Sequence, residues 1–122
     1  MLVVEDDRDA RELLTAILRR CGAHTTVASS AAEGLAAFEA KRPDVIVSDI
    51  EMPEEDGYSL IRRIRARGAD RGGMVPAAAL TAYASAADRM KVLGAGFNIH
   101  LAKPVQPAEL AMVVASLSGS VR

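Results

Sequence analysis

The run Val45-Ile46-Val47 is β-branched and apolar at every position, and it gives way at once to Ser48 and Asp49. A strand without apolar/polar alternation is one covered on both faces, as the strands of a parallel sheet are. Leu2-Val3-Val4 repeats the pattern and runs into Glu5-Asp6-Asp7; Val75 to Leu80 runs into Thr81, and Phe97 to Leu101 into Ala102-Lys103. Pro76 is tolerable only near the start of its strand. His24 to Ala28 makes a weaker strand. Between these runs the periodicity is helical. Asp9 to Arg20 sets Ala10, Leu13, Leu14, Ile17 and Leu18 on one face, and Ser30-Ala31-Ala32-Glu33 is a capping-box pattern opening a helix that stops before Pro43. Tyr58 to Arg67 directs Leu60, Ile61 and Ile64 inward, with Arg62, Arg63, Arg65 and Arg67 mostly outward; Gly68 to Gly73 is expected to be a mobile turn. A short helix from Ser85 to Leu93 and a final one from Pro107 to about Leu117 complete the series. Five strands alternating with five helices predict an α/β fold: one parallel sheet, right-handed crossovers, helices on both faces.

A length of 122 residues suits one domain, residues 1–122, and the short first strand leaves open that the chain is a fragment of a larger regulator or hybrid kinase. Aromatic residues are scarce and Trp is absent, so the core has to be aliphatic. Fifteen basic against sixteen acidic side chains give a net charge of −1, which lacks the basic excess of a nucleic-acid binder. Cys21 is the single cysteine, so no intrachain disulfide forms; it is expected to be a partly buried packing residue. No apolar stretch reaches membrane-spanning length and no signal-peptide pattern opens the chain, which together point to a cytoplasmic location.

In an open parallel sheet the ligand crevice lies beyond the carboxyl ends of the strands, so Glu5, Asp6, Asp49, Thr81 and Lys103 are expected to converge. Three carboxylates crowded into a partly desolvated site repel one another and require neutralisation. A hard dication such as Mg²⁺ takes oxygen ligands from one or two carboxylates and engages phosphate oxygens. Lys103 adds a compact positive charge that can pair with Asp49, and Thr81 adds a hydroxyl donor. An Asp beside a metal and an ammonium is a nucleophile suited to an activated phosphoryl group. Asp7 is expected only to favour the start of the first helix.

The stretches Leu2-Val3-Val4-Glu5-Asp6-Asp7, Ser48 through Gly57, Ala79-Leu80-Thr81-Ala82 and Leu101-Ala102-Lys103-Pro104 resemble the receiver domains of two-component response regulators, of the chemotaxis-regulator-like kind. The resemblance implies a flavodoxin-like, doubly wound sheet in strand order 2-1-3-4-5. It implies that Asp49 is the phosphoacceptor, supplied by a phosphohistidine on a histidine kinase or histidine phosphotransfer domain. Glu5 and Asp6 would form the acid pocket, and Asp6, Asp49 and the backbone carbonyl of Glu51 would hold Mg²⁺ (or Mn²⁺). Thr81 and Lys103 would contact the transferred phosphoryl group, and Lys103-Pro104 would be a cis peptide. The switch would move Thr81 toward the phosphate and admit a side chain from the fifth strand. Here that side chain is His100, where the family usually has an aromatic residue, and a histidine there would make the output surface sensitive to pH. Glu51 and Tyr83 occupy positions that tune the lifetime of the aspartyl phosphate. A downstream protein would read the surface of helix four, strand five and helix five, with no direct nucleic-acid or membrane contact.

Glu54 and Glu55 depart from the small and apolar residues common after Met-Pro in this family, so a rim of Glu51, Glu54, Glu55 and Asp56 is expected to favour a basic partner patch. The last helix is expected to turn Ala108, Ala111, Met112 and Ala115 outward, as a charge-poor docking face. Two alternatives stand beside the phosphoacceptor. One is a phosphatase of the haloacid dehalogenase type, which needs a second Asp where this chain has Glu51; the other is a pseudo-receiver that binds partners without phosphorylation. The receiver reading implies no enzyme beyond self-directed phosphotransfer and autodephosphorylation.

Overall fold

The computed structural model describes residues 1–119. Its elements are β1 (Leu2–Val4), α1 (Arg8–Arg20), β2 (Thr26–Ala28), α2 (Ala31–Lys41), β3 (Ile46–Asp49), α3 (Gly57–Arg65), a 3₁₀ turn (Ala69–Arg71), β4 (Ala77–Thr81), α4 (Ala86–Ala95), β5 (Ile99–Ala102) and α5 (Pro107–Leu117). The five strands are all parallel, in the order β2-β1-β3-β4-β5. This is the doubly wound, flavodoxin-like arrangement, with the chain reversing its direction across the sheet between β1 and β3.

Both faces of the sheet are covered, which is why its strands read as unbroken apolar runs. Val3, Val47, Ala78 and Leu80 pack with Leu14, Ile17 and Leu18 of α1 and Leu110, Val113 and Val114 of α5. On the other face Leu2, Val4, Ile46, Ala77 and Ala79 pack with Phe38 of α2, Leu60, Ile61 and Ile64 of α3 and Val92 of α4. The core is aliphatic apart from Phe38 and Phe97. A Cβ at Gly34 would come within 2.9 Å of Val4 Cγ2, so glycine lets α2 lie close to β1.

Several local expectations change. Asp49 and Thr81 are the last residues of their strands and not the first of the loops. Leu13 is 57 % exposed, whereas Leu14, Ile17 and Leu18 are buried. Ser30 caps α2 through the Glu33 amide, but Glu33 turns its carboxylate to the amide and hydroxyl of Ser29, so the capping box is not reciprocal; a true box forms at Ser85 and Asp88 instead. Arg65 is not a solvated helix residue: its guanidinium donates to the carbonyls of Gly96, Gly73 and Val75 and to Asn98 Oδ1. The Gly68–Gly73 segment contains the 3₁₀ turn and is closed by Arg71 N–H to Gly68 O and Gly73 N–H to Gly68 O. Cys21 is exposed, because α1 ends beside it and leaves it in the following turn. Ala108 and Met112 face outward on α5, while Ala111 and Ala115 are half-buried. No helix among the described residues is long and apolar enough to cross a membrane.

Candidate functional site

β1 and β3 are neighbours in register, Val4 opposite Ser48, so the residues that follow Val4 meet the carboxyl end of β3. Glu5, Asp6 and Asp49 accordingly each offer a carboxylate oxygen within 4.8 Å of the others. Glu5 and Asp49 are both 1 % exposed, and Asp6 keeps access to solvent. Asp7 belongs to the helix: its carboxylate caps α1 by accepting from the Ala10 amide at 2.8 Å. Arg11, which the sequence did not single out, reaches back from α1 and donates to the carbonyls of Glu5 and Asp6 at 2.9 and 3.4 Å, bracing the loop that carries the acids.

Lys103 follows β5 and extends across the crevice. Its Nζ lies 2.6 Å from Asp49 Oδ1 and 3.7 Å from Glu5 Oε1. The first contact is an ion pair outside hydrogen-bond alignment, and Asp49 Oδ1 has no hydrogen-bond donor among the described residues. The Lys103-Pro104 peptide is cis. Gly57 completes the frame: a Cβ there would stand 2.4 Å from the Asp49 carbonyl oxygen, so only glycine allows α3 to begin against the end of β3.

Burial dominates the electrostatics. Loss of hydration, followed by the nearby Asp49, pushes Glu5 up to about 8. Asp49 is also raised, by burial first, although Lys103 and Glu5 act against that rise. Lys103 is raised because Asp49, Glu5 and Glu51 together outweigh its own desolvation. One ammonium thus faces more than one buried carboxylate. Three carboxylates that each offer an oxygen within 4.8 Å of the others, with a single ammonium between two of them, fit a hard dication such as Mg²⁺ or Mn²⁺.

Thr81, 2 % exposed, ends β4, and its hydroxyl donates to Glu51 Oε2 at 2.6 Å while accepting from the Tyr83 amide at 3.1 Å. Glu51 Oε1 accepts from the Ala82 amide at 2.9 Å. His100 lies beside the same loop, its Nε2 3.1 Å from the Tyr83 carbonyl oxygen, and the Tyr83 side chain is 62 % exposed. The expected acidic rim is largely spent on internal contacts. Glu55 pairs with Arg63 at 2.8 Å and accepts from the Ser59 hydroxyl, Asp56 caps α3, and Glu51 is bound to Thr81. Glu54, at φ 70, remains an exposed acid of that loop. An open cleft of about 590 Å³ joins the acids to Ala10, Leu13, Leu14, Leu80, Pro104 and Val105.

The sequence model of the "Response regulator receiver domain" family matches residues 1–115. The chain belongs to this receiver family. An uncharacterized 14.6 kDa protein of Leptolyngbya boryana is 48 % identical over 114 residues, covering 93 % of this chain and 86 % of that protein. The transcriptional regulatory protein PrrA of Mycobacterium tuberculosis is 40 % identical over 117 residues, 96 % of this chain but 48 % of PrrA, so this receiver spans about half of that regulator. Among solved structures, the receiver domain of the sensor histidine kinase PA1611 from Pseudomonas aeruginosa is 38 % identical with a TM-score of 0.87, and the match covers 97 % of this chain and 95 % of that one. That structure has a magnesium ion coordinated in its active site cleft. Membership makes the chain a signalling domain of the two-component type. Glu51, where the phosphatase alternative needs a second Asp, accepts hydrogen bonds from Thr81 and Ala82.

Proposed function

We propose that this receiver is a phosphoryl-accepting switch in which Asp49 takes a phosphoryl group from a phosphohistidine on a histidine kinase or histidine phosphotransfer domain. The observation that carries the proposal is the buried Asp49 carboxylate, with Lys103 Nζ 2.6 Å from one oxygen and the Glu5 and Asp6 carboxylates beside it. An Asp49 oxygen forms a P–O bond as the P–N bond to imidazole breaks, and the leaving imidazole takes up a proton. Lys103 is placed to follow charge from the carboxylate to the phosphoryl oxygens, and the Thr81 hydroxyl is the second donor. Asp6, Asp49 and the Glu51 carbonyl, with Glu5 behind them, would hold Mg²⁺ or Mn²⁺. A bound dication would neutralise the carboxylates and stabilise negative charge on the transferring oxygens.

The output follows from where Thr81 sits. Its movement toward Asp49 would alter the loop from Ala82 to Tyr83 that His100 touches, and so the surface of α4, β5 and α5 read by a downstream protein. Glu51 and Tyr83 would set how readily water reaches the aspartyl phosphate.

Intact mass spectrometry tests the central step. With acetyl phosphate and Mg²⁺ the protein is expected to gain one alkali-labile phosphoryl group, and Asp49→Asn none. Repeated turnover of a phosphomonoester, or a phosphoryl group retained in Asp49→Asn, would overturn it.

A further inference from the structure

The Glu51 carboxylate does more than border the site. Its two oxygens engage two donors at once, Oε2 taking the Thr81 hydroxyl proton at 2.6 Å and Oε1 the Ala82 amide at 2.9 Å. A threonine hydroxyl has one proton. While Glu51 holds that proton, Thr81 has none to offer a phosphoryl oxygen on Asp49, so the two hydrogen bonds exclude each other. A pair of donors that chelates two oxygens of a carboxylate also suits two oxygens of a phosphoryl group, since both are adjacent oxygens bearing negative charge. The two anions cannot share the cradle, because a phosphoryl group on Asp49 would place further negative charge beside Glu51 in a site that already buries Glu5 and Asp49.

We propose that Glu51 is a built-in competitor for the phosphoryl group: its carboxylate occupies the Thr81 and Ala82 donors in the unphosphorylated protein and has to leave before phosphorylated Asp49 can use them. The idea rests on Asp49 being the phosphoacceptor, and it adds a residue that positions Thr81 in the resting state. The clamp also restrains the start of the loop after β4. Glu51 holds Thr81 and Ala82, the Thr81 hydroxyl accepts from the Tyr83 amide, and the Tyr83 carbonyl meets His100. Departure of one carboxylate therefore releases Thr81 and Ala82, the two residues from which the loop to α4 begins. Part of the free energy of phosphorylation is spent on evicting Glu51, which keeps the unphosphorylated protein in its resting form.

Beryllofluoride, a tetrahedral phosphoryl mimic, provides the probe. In the presence of Mg²⁺, Glu51→Ala is expected to bind it about tenfold more tightly than wild type, with Glu51→Gln between the two. Mg²⁺ affinity is measured separately without the mimic, and the gain for the mimic is expected to remain when each protein is saturated with the metal. Glu54→Gln removes an exposed charge from the same loop and is expected to leave affinity for the mimic near wild type. By NMR, the Ala82 and Tyr83 amides of the free protein should shift in Glu51→Ala. Saturation with the mimic should bring wild type and variant to similar positions for these amides. Equal affinities in wild type and Glu51→Ala would overturn the competition, as would an equal gain in Glu54→Gln or an Ala82 amide that stays at its free position in the saturated wild type. Failure of the underlying phosphoacceptor reading looks different: the mimic would then bind none of the proteins, or would bind Asp49→Asn as well as wild type.

Discussion

At the scale of single residues, the site is set by how little water reaches its acids. Glu5 is held near 8 chiefly by desolvation, with Asp49 adding to the rise. Because this folded-state value lies above the ordinary glutamate range, the folded protein keeps a proton that the unfolded chain gives up. The resulting stability is complete below the ordinary glutamate range and is lost as pH rises through about 8. Asp49, also raised, acts in the same direction. Metal-free protein in chelator is therefore expected to melt at progressively lower temperature from about pH 5 to about pH 8, and Glu5→Gln to flatten that slope; scanning calorimetry across the range is the check. A second expectation concerns access of water to the aspartyl phosphate. The Tyr83 side chain is exposed, whereas its main chain makes the bonds to Thr81 and His100, so Tyr83→Ala is expected to speed dephosphorylation without weakening Mg²⁺ binding. An unchanged phosphate lifetime would dismiss it. The acids, Thr81 and Lys103 were legible because each directly ends or follows an apolar run. The Glu51 clamp was not, because a carboxylate at a loop start carries no signal of which donor it will turn to.

At the scale of elements, the sequence predicted the number, type and order of strands and helices, and it erred where neighbouring positions compete. Leu13 and Leu14 both satisfy a helical stripe, yet only Leu14 can face the sheet, and Leu13 borders the acidic cleft instead. Arg65 looks like one more arginine of a solvated face. In the fold it lies at the end of α3 beneath the entries to β4 and β5, where Gly73, Val75 and Gly96 have carbonyls to satisfy. Lysine has neither the reach nor the fork of donors to bind these groups together. Arg65→Ala is expected to cost about 2–4 kcal/mol through carbonyls left without a partner, and Arg65→Lys to recover only part of it. Urea denaturation with an unchanged m-value would register this as a midpoint shift. Gly57→Ala acts from the opposite end of α3. The new methyl would collide with the Asp49 carbonyl oxygen, so a loss of about 1–3 kcal/mol is expected together with slower phosphorylation, since relief of the clash displaces Asp49.

At the scale of the whole molecule, the sheet holds at the carboxyl ends of its inner strands β1 and β3 a cluster of like charges that its own packing opposes. The two aliphatic layers supply the stability that lets Glu5 and Asp49 stay buried with one Lys103 between them. Such a site is better suited to a visiting cation than to the resting fold, and stability and function should respond in opposite directions when a charge is removed. Asp49→Asn leaves Lys103 beside Glu5 and takes away one of the repelling carboxylates. Without metal it is expected to raise Tm by a few degrees, on the order of 1 kcal/mol for a domain of this size. With Mg²⁺ the ranking should invert. Wild type gains stability in proportion to the logarithm of metal concentration above the dissociation constant, more at pH 8 than at pH 6 because protons compete for the same oxygens, while Asp49→Asn gains little. Thermal melts of both proteins in chelator and in Mg²⁺ at these two pH values decide the matter. A variant that melts below wild type in chelator would mean that the Lys103–Asp49 ion pair outweighs carboxylate repulsion, and that the buried charges help to hold the resting fold together.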